Sequence, residues 1–387
     1  MKVLLLTAAT GGGHAKAAEA LAESLERKHP EWETVTVDSL KCISPIVDRL
    51  VVGAYLSTVK NAPNLYGRFY DLSERDRTIT DLSRAFNKLL SYRLCSYIDA
   101  CRPSAIICTH TFPLQMLSNL KCMNRINIPV VGIVTDFVSH LFWKLEGVDA
   151  LVVSHRLIKE DMMKLGIPGS IIHTYGIPVS AAFYETRERK QLRNELGLQD
   201  KPTLLIMGGS LGFGEVRNIF ESLLKCGRDL QLIAVAGRNE KLKIQLEVLS
   251  RSYSKNVRVL GYTNRIHDLM DISDFIITKP GGVTISEALV KRLPILIMPP
   301  IPGQEERNAR FLESKGAAVR LVDDESLEKV LYQLMDSPLK VQHMKEIAGL
   351  LARPNAGEDI IGLIESLVCV QGCLIKENGG RLMAESY

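Results

Sequence analysis

Three places in the chain put a glycine-rich turn between an apolar run and a helical pattern: Thr10 to His14, Gly208 to Gly214, and Lys279 to Thr284. Glycine lets the backbone come close to a phosphate, and a helix start offers unpaired N–H groups and the positive end of the dipole. The first junction holds Gly12 and Gly13, the second Gly209 and Ser210, the third Gly281 and Gly282. At the third, Phe275-Ile276-Ile277-Thr278 reads as a buried strand, and the N–H groups of Gly282, Val283 and Thr284 are expected to face a diphosphate. Glu287 lies one turn into the following helix, where a carboxylate suits a ribose diol by accepting two hydroxyl hydrogen bonds. Further on, Gln304, Glu305 and Asn308 supply the mixed donors and acceptors that sugar hydroxyls require. None of the junctions matches the P-loop pattern, and the run from Gly209 to Gly214 is not G-x-G-x-x-G.

Such turns act only if strands and helices hold them. Val3 to Ala8 is a short apolar run without alternation, as a strand covered on both faces requires. A helix is expected from Ala15 to about Lys28, with Ala18, Leu21, Ala22 and Leu25 on one face. Strands are expected at 34–38, 105–109, 130–135 and 150–154, and again at 203–207, 230–236, 257–260, 275–278 and 294–298. This βαβ alternation predicts two doubly wound, Rossmann-like α/β domains, residues 1–177 and 178–355. Junctions at the carboxyl ends of strands in two such domains point to an interdomain cleft. A final helix from Asp359 to Val370 is expected to pack back across the first domain, within a terminal segment 356–387 that frays after 370.

The segment 43–100 breaks the alternation. Between Ile43 and Cys95 it carries eight basic and five acidic residues. Its aromatic and basic residues include Tyr55, Tyr66, Phe69, Arg68, Arg84 and Arg93. Two readings stand: an extra helical layer, or an acceptor- and membrane-facing surface, since aromatic-plus-basic mixtures suit a lipid interface. The rest of the composition is that of a globular protein: 387 residues, 46% hydrophobic, 24% charged, net charge +4. No strongly basic stripe marks a nucleic-acid partner. No apolar run approaches the ~20 residues of a membrane span. The eight cysteines lack any C-x-x-C pair and read as reduced, in a cytoplasmic protein.

In combination, G-G-G-H at 11–14, T-D-F at 135–137, G-G-S-L-G at 208–212, K-P-G-G-V-T-I-S-E at 279–287 and P-G-Q-E at 302–305 resemble the GT-B glycosyltransferases that make glycolipids. These are the bacterial processive diacylglycerol glucosyltransferases and the plant monogalactosyldiacylglycerol synthases, and the resemblance covers about residues 1–370. It implies inverting transfer of glucose or galactose from UDP-glucose or UDP-galactose to the 3-hydroxyl of diacylglycerol. The expected location is peripheral, on an anionic membrane surface at the inner face. The peptidoglycan-precursor N-acetylglucosaminyltransferase, a UDP-sugar 2-epimerase and a non-enzymatic sugar-nucleotide sensor are the alternative readings of the same architecture.

Carried over by position, His14 matches the family's N-terminal histidine, and a neutral imidazole suits the base that takes the acceptor proton. Asp136 matches its T-D, and either orients His14 or is itself the base. His140 and Trp143 are expected at the acceptor entry, and Tyr262 beside the uracil. The chain contains no D-x-D, the pair by which the other large glycosyltransferase fold holds a metal on the donor diphosphate. The resemblance therefore implies no metal and no cofactor, with leaving-group charge met by the helix start. Sugar transfer is accordingly expected to survive excess chelator. Loss of activity on chelation, restored by magnesium or manganese, would refute this.

Overall fold

The computed structural model describes residues 1–8, 12–43, 46, 49–50, 53–54, 57–58, 62–75, 90–212, 214–322 and 324–384. Within them, a first parallel sheet comprises β1 (Lys2–Thr7), β2 (Glu33–Asp38), β3 (Ala105–Cys108), β4 (Val130–Ile133), β5 (Ala150–Val152) and β6 (Ile172–His173). A second comprises β7 (Thr203–Met207), β8 (Gln231–Val235), β9 (Val257–Leu260), β10 (Phe275–Thr278), β11 (Ile295–Ile297) and β12 (Ala318–Arg320). The strand orders are β2-β1-β3-β4-β5-β6 and β12-β11-β10-β7-β8-β9. This is the expected fold class, two doubly wound α/β domains. The short strands β6 and β12, of two and three residues, carry no readable periodicity and were not expected.

β1 illustrates why the strands form. Leu4 and Leu6 point into one apolar cluster and Val3 and Leu5 into another, so the run is covered on both faces. Strand order reverses between the parallel neighbours β1 and β3 in the first sheet, and between β7 and β10 in the second. Loops leaving such neighbours diverge and open a crevice at the carboxyl ends. The three glycine junctions follow β1, β7 and β10, so topology brings them together.

Helix α1 (Gly12–Lys28) buries Ala17, Ala18, Leu21 and Leu25. It begins at Gly12 rather than Ala15, so His14 lies inside its first turn and not ahead of it. Helix α2 (Pro63–Arg75) belongs to the 43–100 segment. Helices α3 (Gly282–Val290) and α4 (Gln304–Lys315) follow β10 and β11. Tyr55 and Arg84 lie outside the described residues, as does the side chain of Phe69.

The terminal helix α5 (Ala356–Ala384) packs back on the first sheet, as expected. It runs on to Ala384, which corrects the expectation of a frayed segment after 370. Its Ile360, Ile361, Leu363 and Ile364 join Val3, Leu5, Leu21 and Leu25 in one cluster. No described helix is long and apolar enough to cross a membrane. Ile364 is fully buried, so Ile364→Ala is expected to destabilise the first domain by about 2–5 kcal/mol. A lowered denaturant midpoint checks this; an unchanged one would mean that α5 is only loosely attached.

Candidate active site

The cleft between the sheets is lined from the first domain by Gly12, Gly13, His14, Thr135 and Asp136. From the second come Gly209, Ser210, Tyr262, Gly281, Gly282, Val283, Thr284, Glu287, Gln304 and Glu305. All but one of the residues expected to touch a donor thus border a single space. The exception, Asn308, lies beneath it.

His14 is oriented by backbone. Its Nδ1 lies 2.8 Å from the Thr109 carbonyl oxygen and 2.9 Å from Thr135 Oγ1. A carbonyl only accepts, so Nδ1 carries the hydrogen and Nε2 keeps its lone pair. Burial holds the His14 pKa below the ordinary histidine value, partly opposed by the negative charge of Asp136 and the Thr109 carbonyl. His110, edge-on to it at 4.6 Å between ring centroids, is pushed further down by burial and by His14 itself. The pair stays neutral and supplies one basic nitrogen to the cleft.

Asp136 does not orient His14 through a hydrogen bond. Its Oδ1 accepts from Asn308 Nδ2 at 2.9 Å, and Ser154 Oγ donates to its backbone carbonyl at 3.0 Å. Burial raises its pKa, while the Asn308 hydrogen bond and His14 pull it back. The groups within hydrogen-bond distance of His14 Nδ1 are instead the Thr109 carbonyl and Thr135 Oγ1, and only the charge of Asp136 reaches the ring.

Asn308 differs from expectation for the same reason. It is fully buried, with Nδ2 donating to Asp136 and, at 2.9 Å, to the Pro280 carbonyl. Its Oδ1 accepts the Phe137 N–H at 2.8 Å. With both ends occupied by protein, it is not available to a sugar hydroxyl. Trp143 is also corrected: it is buried in the first-domain core beside Leu114 and Gly132, because the short turn Leu141–Trp143 folds it inward. His140 caps that turn through Nδ1, accepting the Phe142 N–H at 3.1 Å. Arg93 is exposed but donates to the Ile43 carbonyl at 3.3 Å, which ties it to its own segment.

The start of α3 meets the first domain backbone to backbone. A Cβ on Gly282 would lie 2.0 Å from the Thr135 carbonyl oxygen, so only glycine fits. Gly281 caps α3 without any side-chain hydrogen bond, leaving the first N–H groups for a ligand. Glu287, one turn in, is pushed up to about 8 by burial, against the pull of Lys16. At neutral pH it is a protonated acid, able to donate as well as accept.

Two cations went unread in the sequence. Lys279 Nζ donates to Glu305 Oε1 at 2.6 Å, and Glu305 Oε2 accepts the Ile301 N–H at 3.1 Å. Lys16 pairs with Glu19 of its own helix α1 at 2.6 Å and lies 5.9 Å from the Tyr262 ring, with Arg238 at 5.0 Å. Lys279 stood inside the K-P-G-G run, and its position at the end of a central strand was the available signal. Lys16 was hidden by its helix, one of many lysines at helical spacing. Tyr66, expected at an acceptor surface, lines this same cleft.

Two family models match the chain. One for monogalactosyldiacylglycerol (MGDG) synthase spans residues 14–179, and one for the glycosyltransferase family 28 C-terminal domain spans 203–360. A processive diacylglycerol beta-glucosyltransferase of Bacillus cytotoxicus is 32% identical over 94% of this chain and 93% of its own. Among solved structures, Acinetobacter baumannii MurG aligns with a TM-score of 0.61 at 16% identity, over 94% of this chain and 99% of that one. S. aureus MnaA, solved with UDP, aligns with a TM-score of 0.61 at 14% identity, over 95% and 96%. The structural likenesses carry the fold, while the sequence match over nearly the whole of both chains carries more: this chain belongs to the family of the diacylglycerol glycosyltransferases.

Proposed function

We propose that the chain transfers glucose or galactose from a UDP-sugar to the 3-hydroxyl of diacylglycerol, with inversion at the anomeric carbon. The observation that carries this reading is His14: a half-buried, neutral imidazole with Nδ1 fixed to Thr109, across the cleft from the unpaired N–H groups of α3. The acceptor hydroxyl gives its proton to His14 Nε2 as its oxygen attacks the sugar. UDP leaves as that bond forms, and a single displacement inverts the centre. Asp136 stabilises the imidazolium through space. The N–H groups of Gly282, Val283 and Thr284, with the Lys279 ammonium, meet the charge growing on the diphosphate.

Glu287 reads the ribose, and Gln304 and Glu305 read the sugar. Lys279 pairs with Glu305 at the cleft wall. On this reading it exchanges that carboxylate for phosphate when the donor enters, and frees Glu305 for a hydroxyl. The lipid acceptor implies work at a membrane surface. Leu65 and Leu72, exposed on α2 beside Arg68, are the apolar side chains suited to such contact.

His14→Ala is expected to leave UDP affinity in place and lower turnover by ~10²–10⁴-fold, the contribution of a positioned base. Because its pKa is lowered, His14 stays in the competent neutral form down to and below the ordinary value of about 6.5. The acid limb of kcat/KM therefore lies below that value. Turnover that survives in His14→Ala and vanishes in Asp136→Asn would transfer the role to Asp136.

At Glu287, Gln preserves a neutral group with a donor and an acceptor. Glu287→Gln is therefore expected to hold UDP affinity near wild type at pH 7, and Glu287→Ala to lose about 0.5–1.5 kcal/mol per hydrogen bond removed. Calorimetry with UDP separates them; equal affinity in all three proteins would leave Glu287 no part in the ribose site.

A further inference from the structure

Helix α2 is attached to the wrong domain for a donor-binding element, yet it touches the sugar end of the donor cleft. Gly67 is buried, and a Cβ there would lie 2.4 Å from Pro302 Cβ and 3.3 Å from the Pro302 carbonyl carbon. Contact this close requires glycine at 67. On the other side, Gly303 has φ +106°, a conformation that favours glycine. A Cβ at 303 would also meet the Tyr70 ring at 3.2 Å and the Tyr66 ring at 3.4 Å. Two glycines facing each other's helices thus bring the first-domain segment down onto the turn that starts α4.

The rings secure the contact. The Arg307 guanidinium lies 5.1 Å from the Tyr70 centroid, within cation–π range. Tyr70 also packs on the buried His140 at 4.7 Å, so the contact is anchored in the first-domain core. The turn it holds leads directly into Gln304 and Glu305, the residues that face the cleft beside Tyr66.

We propose that α2 completes the sugar subsite: Gly67 and Tyr70 are positioning residues that fix the Pro302–Gly303 turn, and Tyr66 forms part of the wall around the donor hexose. The uridine and ribose contacts lie elsewhere, at Tyr262 and Glu287, so α2 acts on the hexose and not on the nucleotide. This rests on the reading of the cleft as a UDP-sugar site, and deepens it by naming what shapes its hexose end.

The test is calorimetry with UDP, UDP-glucose and UDP-galactose on wild type, Gly67→Ala, Tyr70→Ala and Tyr70→Phe. Gly67→Ala and Tyr70→Ala are expected to weaken the preferred UDP-sugar by roughly fivefold, the scale of a lost half-exposed cation–π contact, and to leave UDP within about twofold, less than any one lost hydrogen bond of ordinary strength. Tyr70→Phe, which keeps the ring, is expected to match wild type. UDP-sugar affinity unchanged in both disruptive variants would overturn the proposal. So would an equal loss for UDP and UDP-sugar, which would make α2 a structural support of the whole domain. A wild type that binds none of the three ligands would overturn the donor reading itself.

Discussion

The carboxamide of Asn308 joins the two halves of the cleft. It lies on α4 of the second domain and satisfies three groups at once: the Asp136 carboxylate, the Phe137 N–H and the Pro280 carbonyl. One orientation of the amide fits all three, because the oxygen must meet the N–H and the nitrogen the two acceptors. Phe137 and Pro280 are buried and Asp136 half-buried at the cleft wall, so loss of the amide would leave two groups unpaired away from water and the carboxylate without its donor. Asn308 also reaches Pro280, immediately before the glycines that open α3. The carboxylate near the proposed base and the N–H groups facing the proposed leaving group are therefore registered against each other by one side chain.

That registration needs close approach, and missing Cβ atoms allow it. Gly282 sits against the Thr135 carbonyl, and a Cβ on Gly12 would strike Ser210 Oγ at 2.0 Å. Thr135 is also one of the two groups holding His14, so the contact that seats α3 lies beside the contact that sets the imidazole. In the space this creates, burial keeps His14 and His110 neutral and raises Glu287 and Asp136. The fixed positive charges there are the lysines, with Lys279 held at Glu305. A dianionic diphosphate entering such a site meets oriented donors with little competition from solvent.

Much of this was legible in the residues. Apolar runs without alternation gave the central strands because parallel sheets are covered on both faces, and glycine turns after three of them gave the cleft. What remained hidden depends on contacts distant in sequence. Asn308 reads like a sugar ligand because its neighbours Gln304 and Glu305 face the cleft, but it lies one turn further along α4 and points into the seam. Trp143 reads like an entry residue because it follows Asp136 closely, yet its turn folds into the core. The partner of His14 is a backbone carbonyl at Thr109, to which residue type gives no clue. The start of α1 was misjudged by three residues because Gly12 and Gly13 are weak helix formers, held there by packing.

The chain crosses between its two domains near Gly176 and again near Arg353. The two crossings touch: a Cβ on Gly176 would lie 2.4 Å from Arg353 Cβ and 3.5 Å from Ala356 Cβ, and its φ of +100° suits glycine. Two tethers pressed together at one point behave mechanically as a single pin. Sliding of one sheet along the other would pull them apart, whereas rotation about the pin leaves them in contact. Contact at a single point resists sliding of the halves more than it resists rotation. A side chain at 176 would spread the tethers and loosen that single point of attachment.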